Sequence, residues 1–348
     1  MTEVVATHGA AQALERLLGG AVEAKGVIPE HYSFDRLHED LEHADRLGAR
    51  VVIPTDDEWP ASLNDLELPP LCLWVRGPAD LAEVAARSVS IVGARSATAY
   101  GTQVAADLAA GLGQRGFAVV SGGAFGIDAA AHRGALAVDA CTIAVMAGGI
   151  DRLYPSSHAS LLAAIASSGA VVSEQPPGVA PIGSRFLKRN RIIAALSCGT
   201  VVVEASLRSG SLNTARHAQD IVRPVGAVPG PVTSMQSAGC HQLVRDRAAE
   251  VVTDVDEVAD LVGRLGLDLA PTKRGHTRPL DILEPEDRAL FEALPMRSHC
   301  DVEVLGRSAG LTTRQVRAAL GRLELRGLAS SDGLDRWRKA PSDGHTRR

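Results

Sequence analysis

Residues 121–128 decide the fold of this chain, and they read Ser121-Gly122-Gly123-Ala124-Phe125-Gly126-Ile127-Asp128. A short apolar run, residues 117–120, precedes them, and a segment rich in helix-forming residues, 129–136, follows. That order predicts a strand, a tight glycine turn and the start of a helix. Glycines let a ligand approach the main chain closely, and the N–H groups at a helix start favour an anion. The turn is therefore either a phosphate cradle or a plain turn that needs glycine for packing.

The same pattern repeats on both sides of this turn, as apolar strands alternate with glycine loops and alanine-rich helices. The predicted strands are 89–92, 117–120, 141–146, 170–173, 200–204 and 223–228. The predicted helices are 101–114, 128–138, 157–167, 188–197 and 211–220. Such alternation predicts an α/β fold, with a parallel-rich sheet covered by helices on both faces. Ligands of these sheets bind at the carboxyl ends of the strands, beside the point where strand order reverses.

The chain before and after this region predicts smaller units. Helices 11–18 and 34–47 and strands 50–54 and 71–75 are expected before it. Three helices (286–294, 302–308 and 313–325), a helix-turn-helix glycine turn and a wing hairpin are expected after it. The predicted domains are an N-terminal helical and short-strand region at 1–85, a sheet domain at 86–263, a linker at 264–279, a winged helix at 280–340 and a disordered tail at 341–348.

The third C-terminal helix places Arg314, Arg317 and Arg322 on its outer face, while Glu324 interrupts that basic surface. The winged helix could therefore bind duplex DNA, or it could be a protein-docking or silent appendage, which the interruption by Glu324 slightly favours.

Composition limits the class of protein. The 348 residues are 45% hydrophobic and 22% charged, which is enough to bury a core, and the net charge is −5. Aromatic residues make up only 3%, so base stacking cannot be a widespread binding device. The five cysteines have no metal-ligand spacing, and no signal peptide or membrane-length apolar run is seen. We expect a cytoplasmic protein without a metal or cofactor.

Basic and small polar residues follow several of the predicted strands. Arg95 lies in the loop after the first strand, and Ser209, Gly210 and Ser211 lie in the loop before helix 211–220. Residues 185–216 hold six basic side chains and one acid, Glu204, within a chain of negative net charge. Arginine forks and lysine point charges suit phosphate oxygens, so this excess indicates phosphate binding.

Several enzyme classes lack their sequence motif here. The first turn does not read G-x-G-x-x-G, and neither a P-loop nor a G-x-S-x-G elbow is present. Asp128, Glu174 and Glu204 could form an acid–base set, or they could bind backbone N–H groups and order the loops, which we favour. His132 could be a base, although packing is the more common role of a histidine in a first helical turn.

An ordered series of motifs resembles the DNA-processing protein A family (DprA/Smf), over about residues 50 to 262. The series comprises Ser90-Ile91-Val92-Gly93-Ala94-Arg95, Ser121-Gly122 with residues 126–132, residues 149–155, Ser173-Glu174, Phe186 with residues 189–193, Glu204-Ala205, Ser209-Gly210-Ser211 with Thr214, and Val228-Pro229-Gly230.

The resemblance implies an extended Rossmann-like domain, a small N-terminal region and a C-terminal winged helix. It also implies a non-enzymatic homodimer that binds and protects incoming single-stranded DNA during natural transformation and loads the RecA recombinase. Carried over by motif, the phosphate-binding residues would be Ser121, Gly122, Gly126, Arg189, Asn190, Arg191, Ser209, Gly210 and Ser211, with Lys188 beside them.

One residue departs from the family pattern. The family turn commonly carries an arginine where this chain has Phe125, so one phosphate contact is lost or moves to Arg95 or Arg152. Phe125 could instead stack on a base, or simply pack. Two alternative functions stay open: a nucleotide or nucleoside-phosphate hydrolase on a Rossmann-like fold, and a winged-helix regulator with a nucleotide-sensing domain.

Overall fold

The computed structural model describes residues 34–264, 266–272 and 282–341, with the side chains of residues 34 and 35 excepted. The chain divides into two compact units, residues 1–271 and 272–348. The predicted helix at 11–18 and most of the predicted tail lie outside the described residues. We treat the two units separately.

A single sheet organises the described part of the first unit. Its strands are β1 (Ala49–Val52), β2 (Leu73–Arg76), β3 (Ser88–Val92), β4 (Ala118–Ser121), β5 (Thr142–Met146), β6 (Ala170–Ser173), β7 (Thr200–Val202), β8 (Val225–Ala227) and β9 (Glu250–Val251). Their order is β1-β2-β6-β5-β4-β3-β7-β8-β9, in which β2 pairs antiparallel with both β1 and β6 and every other pair is parallel. The predicted parallel-rich sheet is confirmed.

Helices cover the sheet on both faces. They are α1 (Phe34–Arg46), α2 (Leu81–Ala86), α3 (Ala99–Gln114), α4 (Ile127–Leu136), α5 (Ala159–Ser168), α6 (Gly183–Ala195), α7 (Ser211–Asp220), α8 (Ala238–Arg245) and α9 (Val255–Val262). Every residue of β3 to β6 is buried, as expected of strands sandwiched between helices. The strand interiors are Val-, Ile- and Ala-rich, and the few hydroxyls among them bond to nearby carbonyls, as Ser90 does to Ile193 O at 2.8 Å.

The strand order places a switch point beside β3. From β3 the chain runs outward through β4, β5 and β6, and then crosses back to add β7, β8 and β9 on the other side. The loops after β3 and β7 therefore diverge and leave a crevice at the carboxyl ends of the strands. This crevice is where the predicted phosphate-binding loops meet.

The described part of the second unit has three helices and a small sheet. The helices are α10 (Pro285–Ala293), α11 (Val302–Ala309) and α12 (Thr313–Leu325), and the strands β10 (Cys300–Asp301), β11 (Ala329–Ser331) and β12 (Arg336–Lys339) pair in the order β10-β12-β11. Gly310 ends α11 at a φ of +67°, and Thr312 and Gln315 form a capping box that begins α12. The predicted winged helix is confirmed.

The outer face of α12 differs from the simple prediction at one arginine. Arg322 is turned toward α10, where its guanidinium donates to both oxygens of Asp287, at 2.6 to 3.0 Å. Asp287 itself is fully buried. Arg317 pairs with Asp335 of the wing at 2.8 Å. Two of the three predicted outer arginines thus hold ion pairs within the unit.

Candidate functional site

A cleft of about 310 Å³ opens at the switch point between β3 and β7. Its lining comes mainly from the end of β3 with the loop that follows, the glycine turn with the start of α4, the body of α6, and the loop between β7 and α7. The lining residues are Val92, residues 93–96, Ala124, Asp128, Phe186, Leu187, Arg189, Asn190, Ile193, Ser206, residues 209–211, Thr214 and Gln236. The size of the cleft is at the small end of the range of ligand pockets in proteins. The sequence-predicted loops therefore converge on one site.

The glycines of the turn are required by close contacts. Gly126 has a φ of +75°, and a Cβ on it would lie 2.2 Å from the carbonyl oxygen of Ala94. A Cβ on Gly122 would lie 2.6 Å from the guanidinium of Arg189. Both contacts join the turn to a neighbouring segment of the cleft, so glycine here serves packing as well as conformation.

A side chain of the protein itself already occupies the glycine turn. The Oδ2 atom of Asp128 accepts from the N–H of Gly122 at 3.1 Å and from the N–H of Ala124 at 3.4 Å. Burial raises the pKa of this carboxyl, while Arg189 and the two N–H groups act in the opposite direction. Two donors of the predicted phosphate cradle are thus satisfied by the protein itself.

Arg189 braces the floor of the cleft from α6. Its guanidinium donates to the carbonyl oxygens of Gly122, at 3.0 Å, and Val145, and its Nε donates to the side chain of Asn190 at 3.3 Å. The side chain is buried, and burial lowers its pKa to about 10, so it stays cationic at neutral pH. Arg189 lines the cleft as predicted, yet its Nη1 already holds two backbone carbonyls and its Nε holds the Asn190 side chain.

The other predicted residues of α6 lie in different surroundings. Asn190 lines the cleft and donates to Gly210 O and Asn213 Oδ1, both at 3.2 Å, which ties α6 to the loop before α7. Arg191 pairs with Glu174 at 2.5 Å and is not among the residues that line the cleft. Lys188 is exposed and lines a small adjacent depression with Arg185 and Glu174.

The loop before α7 presents hydroxyls and a helix start to the cleft. The Oγ atoms of Ser209 and Ser211 lie 2.7 Å apart, and Gly210 occupies the N-cap position without a side-chain cap. The positive end of the α7 dipole faces the same space. Ser209, Gly210 and Ser211 therefore form the part of the cleft that suits an anion best.

Buried Glu204 anchors the loop that follows β3. Its carboxylate accepts from the N–H of Thr98 at 2.9 Å and from the Thr98 hydroxyl at 2.6 Å. This anchor fixes the exposed residues Arg95 and Ser96 at the mouth of the cleft, where the Arg95 guanidinium lies 5.0 Å from the centre of the Phe186 ring. The favoured interpretation of Glu204, as a residue that orders a loop, agrees with these contacts.

Two other predicted residues lie behind the cleft. The hydroxyl of Ser121 donates to Ile91 O at 2.7 Å, within the buried sheet, and Ser121 does not line the cleft. His132 is fully buried on α4, where its Nδ1 lies 2.7 Å from Thr142 Oγ1. That environment favours the packing role for His132.

Exposed aromatic side chains lie beside the cleft, and the sequence reasoning overlooked most of them. Phe125 is 46% exposed and packs edge-on against His158, and Tyr154 is 47% exposed and packs edge-on against Phe186. Phe125, Tyr154, Phe186 and Arg95 share one small depression. Phe125 and Tyr154 each follow a predicted strand, and in a chain with few aromatic residues that position could have identified them.

The described residues contain neither a metal-binding cluster nor a membrane-spanning helix. Among the described residues, no group of three or more His, Cys, Asp or Glu side chains is placed to hold a metal ion. Within the same residues, no helix has the length and apolar character needed to cross a bilayer.

Two family models match this chain. The model described as DNA recombination-mediator protein A matches residues 50–263, and the model described as DprA winged helix domain matches residues 274–333. Together they cover the sheet domain and the C-terminal unit, in the order expected from the sequence. The predicted resemblance is confirmed.

Individual relatives agree with these models. A putative DNA processing protein DprA from Mycobacterium tuberculosis is 46% identical over 352 residues, which covers 97% of this chain and 90% of the relative. The X-ray structure of DprA from Streptococcus pneumoniae superposes with a TM-score of 0.63 at 32% identity, covering 73% of this chain and 82% of that one. A Helicobacter pylori structure, whose subject is a single-stranded DNA binding mode of DNA processing protein A, gives a TM-score of 0.56 at 30% identity, covering 61% and 94%.

Proposed function

Since the chain belongs to the DNA recombination-mediator protein A family, we propose that it binds single-stranded DNA at the switch-point cleft and acts as a DNA-processing protein in transformation and recombination. The observation that carries the proposal is the convergence of the Ser209–Ser211 loop, the α7 N-terminus and exposed Arg95 on one cleft. Hydroxyls, a helix start and an exposed cation together suit a backbone phosphate.

Exposed cations extend this surface beyond the cleft. Lys188 lies beside the cleft on α6, and Arg208 lies in the loop that leads to Ser209, and both side chains are exposed. Arg189, by contrast, already holds two backbone carbonyls through Nη1, and Arg191 pairs with Glu174. We therefore assign the phosphate contacts chiefly to Arg95, Lys188, Arg208 and the serine loop, with Arg189, Asn190, Gly122 and Gly126 maintaining the shape of the floor.

The role we propose is a binding role without catalysis. The carboxylates considered for acid–base chemistry hold other groups: Glu204 anchors Thr98, Glu174 pairs with Arg191, and Asp128 holds the glycine turn. The proposal includes RecA as the protein partner, a homodimer as the assembly and the cytoplasm as the location, all of which rest on the family resemblance.

A salt series tests the proposal. Fluorescence anisotropy of a labelled (dT)12 should show a Kd that rises steeply with salt, because each neutralised phosphate of a single strand adds about 0.7 to the slope of log K against log salt. In a Lys188→Ala/Arg208→Ala variant the slope should fall by about 1 or more. The matched control is Arg46→Ala/Arg133→Ala, which removes two exposed charges outside the cleft lining.

The control should keep the wild-type slope. Absence of binding by the wild type at low salt would overturn the proposal, and nucleotide hydrolysis assays would then test the enzyme alternative. Tighter binding to a particular duplex than to (dT)12 would favour the regulator alternative instead.

A further inference from the structure

A residue outside the motif series joins the two loops that diverge at the switch point. Gln236 belongs to the loop between β8 and α8, and it lines the cleft together with Ser96 of the loop after β3. Its side-chain Nε2 donates to Ser96 Oγ at 3.1 Å, while its main-chain oxygen accepts from the N–H of Ala205, after β7, at 2.7 Å. Gln236 therefore connects the chain after β3 to the chain after β7.

The loop that carries Gln236 is held near both of its ends. Near its start, the carbonyl oxygen of Pro229 accepts from the hydroxyl of Tyr100 at 2.6 Å. Near its end, the N–H of Gln236 donates to Ser234 Oγ at 3.3 Å, in addition to the main-chain bond that Gln236 accepts from Ala205. The main chain that carries the Gln236 amide is thus fixed by the fold.

The bond from Gln236 determines how the Ser96 hydroxyl can act. A serine hydroxyl has one hydrogen to donate, and its oxygen can accept. The oxygen of Ser96 already accepts from Gln236, and within the described part of the chain no acceptor bonds to its hydrogen. Ser96 is exposed and lines the cleft, so this hydrogen is available to a ligand there. Because the hydroxyl is polarised by the bond that it accepts, the bond that it donates is strengthened.

The surroundings of this hydroxyl favour an anionic acceptor. The preceding residue, Arg95, places an exposed guanidinium at the same mouth of the cleft. The two carboxylates nearby are engaged by the protein itself, since Glu204 holds Thr98 and Asp128 holds the glycine turn. A hydrogen bond to an ionised acceptor is about twice as strong as one to a neutral acceptor. A hydroxyl donor beside an arginine therefore complements a phosphate oxygen.

We propose that Ser96 donates a hydrogen bond to a phosphate of the bound strand, next to the phosphate on the Ser209–Ser211 loop, and that Gln236 is the positioning residue that orients this hydroxyl. The inference rests on the proposed single-stranded DNA binding and adds the loop between β8 and α8 to that site. Both side chains are uncharged, so their contribution releases no counterions and stays constant as the salt concentration rises. That constancy separates this contact from those of Lys188 and Arg208.

Anisotropy of labelled (dT)12 across the same salt series measures both parts of the proposal. Ser96→Ala should raise the Kd about tenfold at every salt concentration, as expected for one hydrogen bond to a charged group, and should keep the wild-type slope of log K against log salt. Gln236→Met, which keeps the length of the side chain and removes its amide, should raise the Kd about threefold. Ser96→Thr keeps the hydroxyl and should stay within about twofold of the wild type.

The double variant Ser96→Ala/Gln236→Met tests whether Gln236 acts through Ser96. A positioning residue has nothing left to orient once the hydroxyl is gone, so the double variant should bind about tenfold more weakly than the wild type, like Ser96→Ala alone. Independent contributions would multiply to about thirtyfold and would contradict the positioning role. The controls Ser167→Ala and Gln103→Met are exposed changes of the same kind on α5 and α3, outside the cleft lining, and should keep the wild-type Kd.

The outcomes separate the two proposals. If the wild type fails to bind (dT)12 at low salt, the proposed function itself fails. If the wild type binds and Ser96→Ala has the same Kd, the serine contact is wrong although DNA binding stands. A shallower salt slope in Ser96→Ala would also contradict the contact, because it would show that a cationic contact was lost instead. Urea unfolding should give both single variants the wild-type free energy of unfolding, since Ser96 is exposed and Gln236 is half-buried.

Discussion

His132 shows how a buried polar residue is fixed in one protonation state. The hydroxyl of Thr142 donates to Val119 O at 2.7 Å, so its oxygen is left to accept from Nδ1–H of His132 at 2.7 Å. Nε2 is then a bare acceptor, buried without a partner. Protonation would add a charge with no acceptor, and burial accordingly lowers the pKa of His132 from 6.5 to about 3.

The lowered pKa of His132 predicts acid lability. Below pH 6.5 the unfolded chain takes up a proton at His132 that the folded chain refuses, so the free energy of unfolding falls by about 1.4 kcal/mol per pH unit until the folded pKa is reached. Between pH 6.5 and pH 4.5 the free energy of unfolding, measured with urea, should fall by about 2 to 3 kcal/mol less for His132→Asn than for the wild type. His38→Asn, at an exposed site on α1, should lose as much as the wild type; an equal loss in His132→Asn would contradict the assignment.

Val222 holds a strained backbone conformation at the end of α7. Its φ is +56°, which is unusual for a β-branched residue, and its side chain is 92% exposed. We expect Val222→Gly to raise the free energy of unfolding by about 1 kcal/mol, because glycine adopts this conformation without a Cβ clash. The control is Val232→Gly, since Val232 is 90% exposed without a positive φ, and it should be neutral or slightly destabilising in the same urea titration. If Val222→Gly instead lowers the free energy of unfolding, the positive φ of Val222 does not store strain that glycine relieves.

At the scale of elements, one hydroxyl connects the start of α3 to the end of β7. Thr98 Oγ1 donates to Glu204 at 2.6 Å and accepts from the N–H of Gly101 at 3.1 Å. Thr98→Val removes both bonds and should cost about 2 kcal/mol of stability. It should also weaken (dT)12 binding severalfold, because the loop that carries Arg95 then keeps only the backbone N–H bond to Glu204.

The matched control for this anchor is Thr98→Ser, which keeps the hydroxyl. It should restore most of the stability and the wild-type Kd, measured by urea unfolding and anisotropy. If Thr98→Val binds DNA as the wild type does, the loop after β3 does not depend on the Thr98 hydroxyl for its function.

The elements themselves were predictable because their signals are local. Strand, turn and helix at 117–136 follow from apolar runs and glycines, and β3 to β8 all lie within a few residues of the predicted strands. The sequence analysis assigned both Arg189 and Arg191 to phosphate binding, although residues two apart on a helix lie on different faces. Arg189 and Arg191 therefore could not both line the cleft. The partners that engage them, Gly122 and Glu174, are remote in sequence and needed the fold.

At the scale of the molecule, the second unit has a polar anchor of its own. Buried Asp287 on α10 receives the guanidinium of Arg322 from α12. Asp287→Ala should destabilise this unit by about 1 to 2 kcal/mol, a value reduced because the Arg322 side chain is 42% exposed and can be hydrated. Amide hydrogen exchange should speed up in α10 to α12 and stay unchanged in β3 to β8.

Glu292→Ala provides the comparison for Asp287→Ala, since it removes a mostly exposed carboxylate from the same helix and should change exchange little. Equal effects of the two variants would show that the buried pair does not support the unit.

The strand order also determines when this protein can acquire affinity for DNA during its synthesis. The cleft draws on residues from Val92 to Gln236, and the central strand β3 must wait for β7 to complete its pairing. At about 5–20 residues per second, a ribosome needs roughly 7–30 s to make that stretch. A nascent chain that ends before β7 therefore carries the basic residues of α6 without a cleft to place them in, and the DNA binding proposed for that cleft can begin only late in translation.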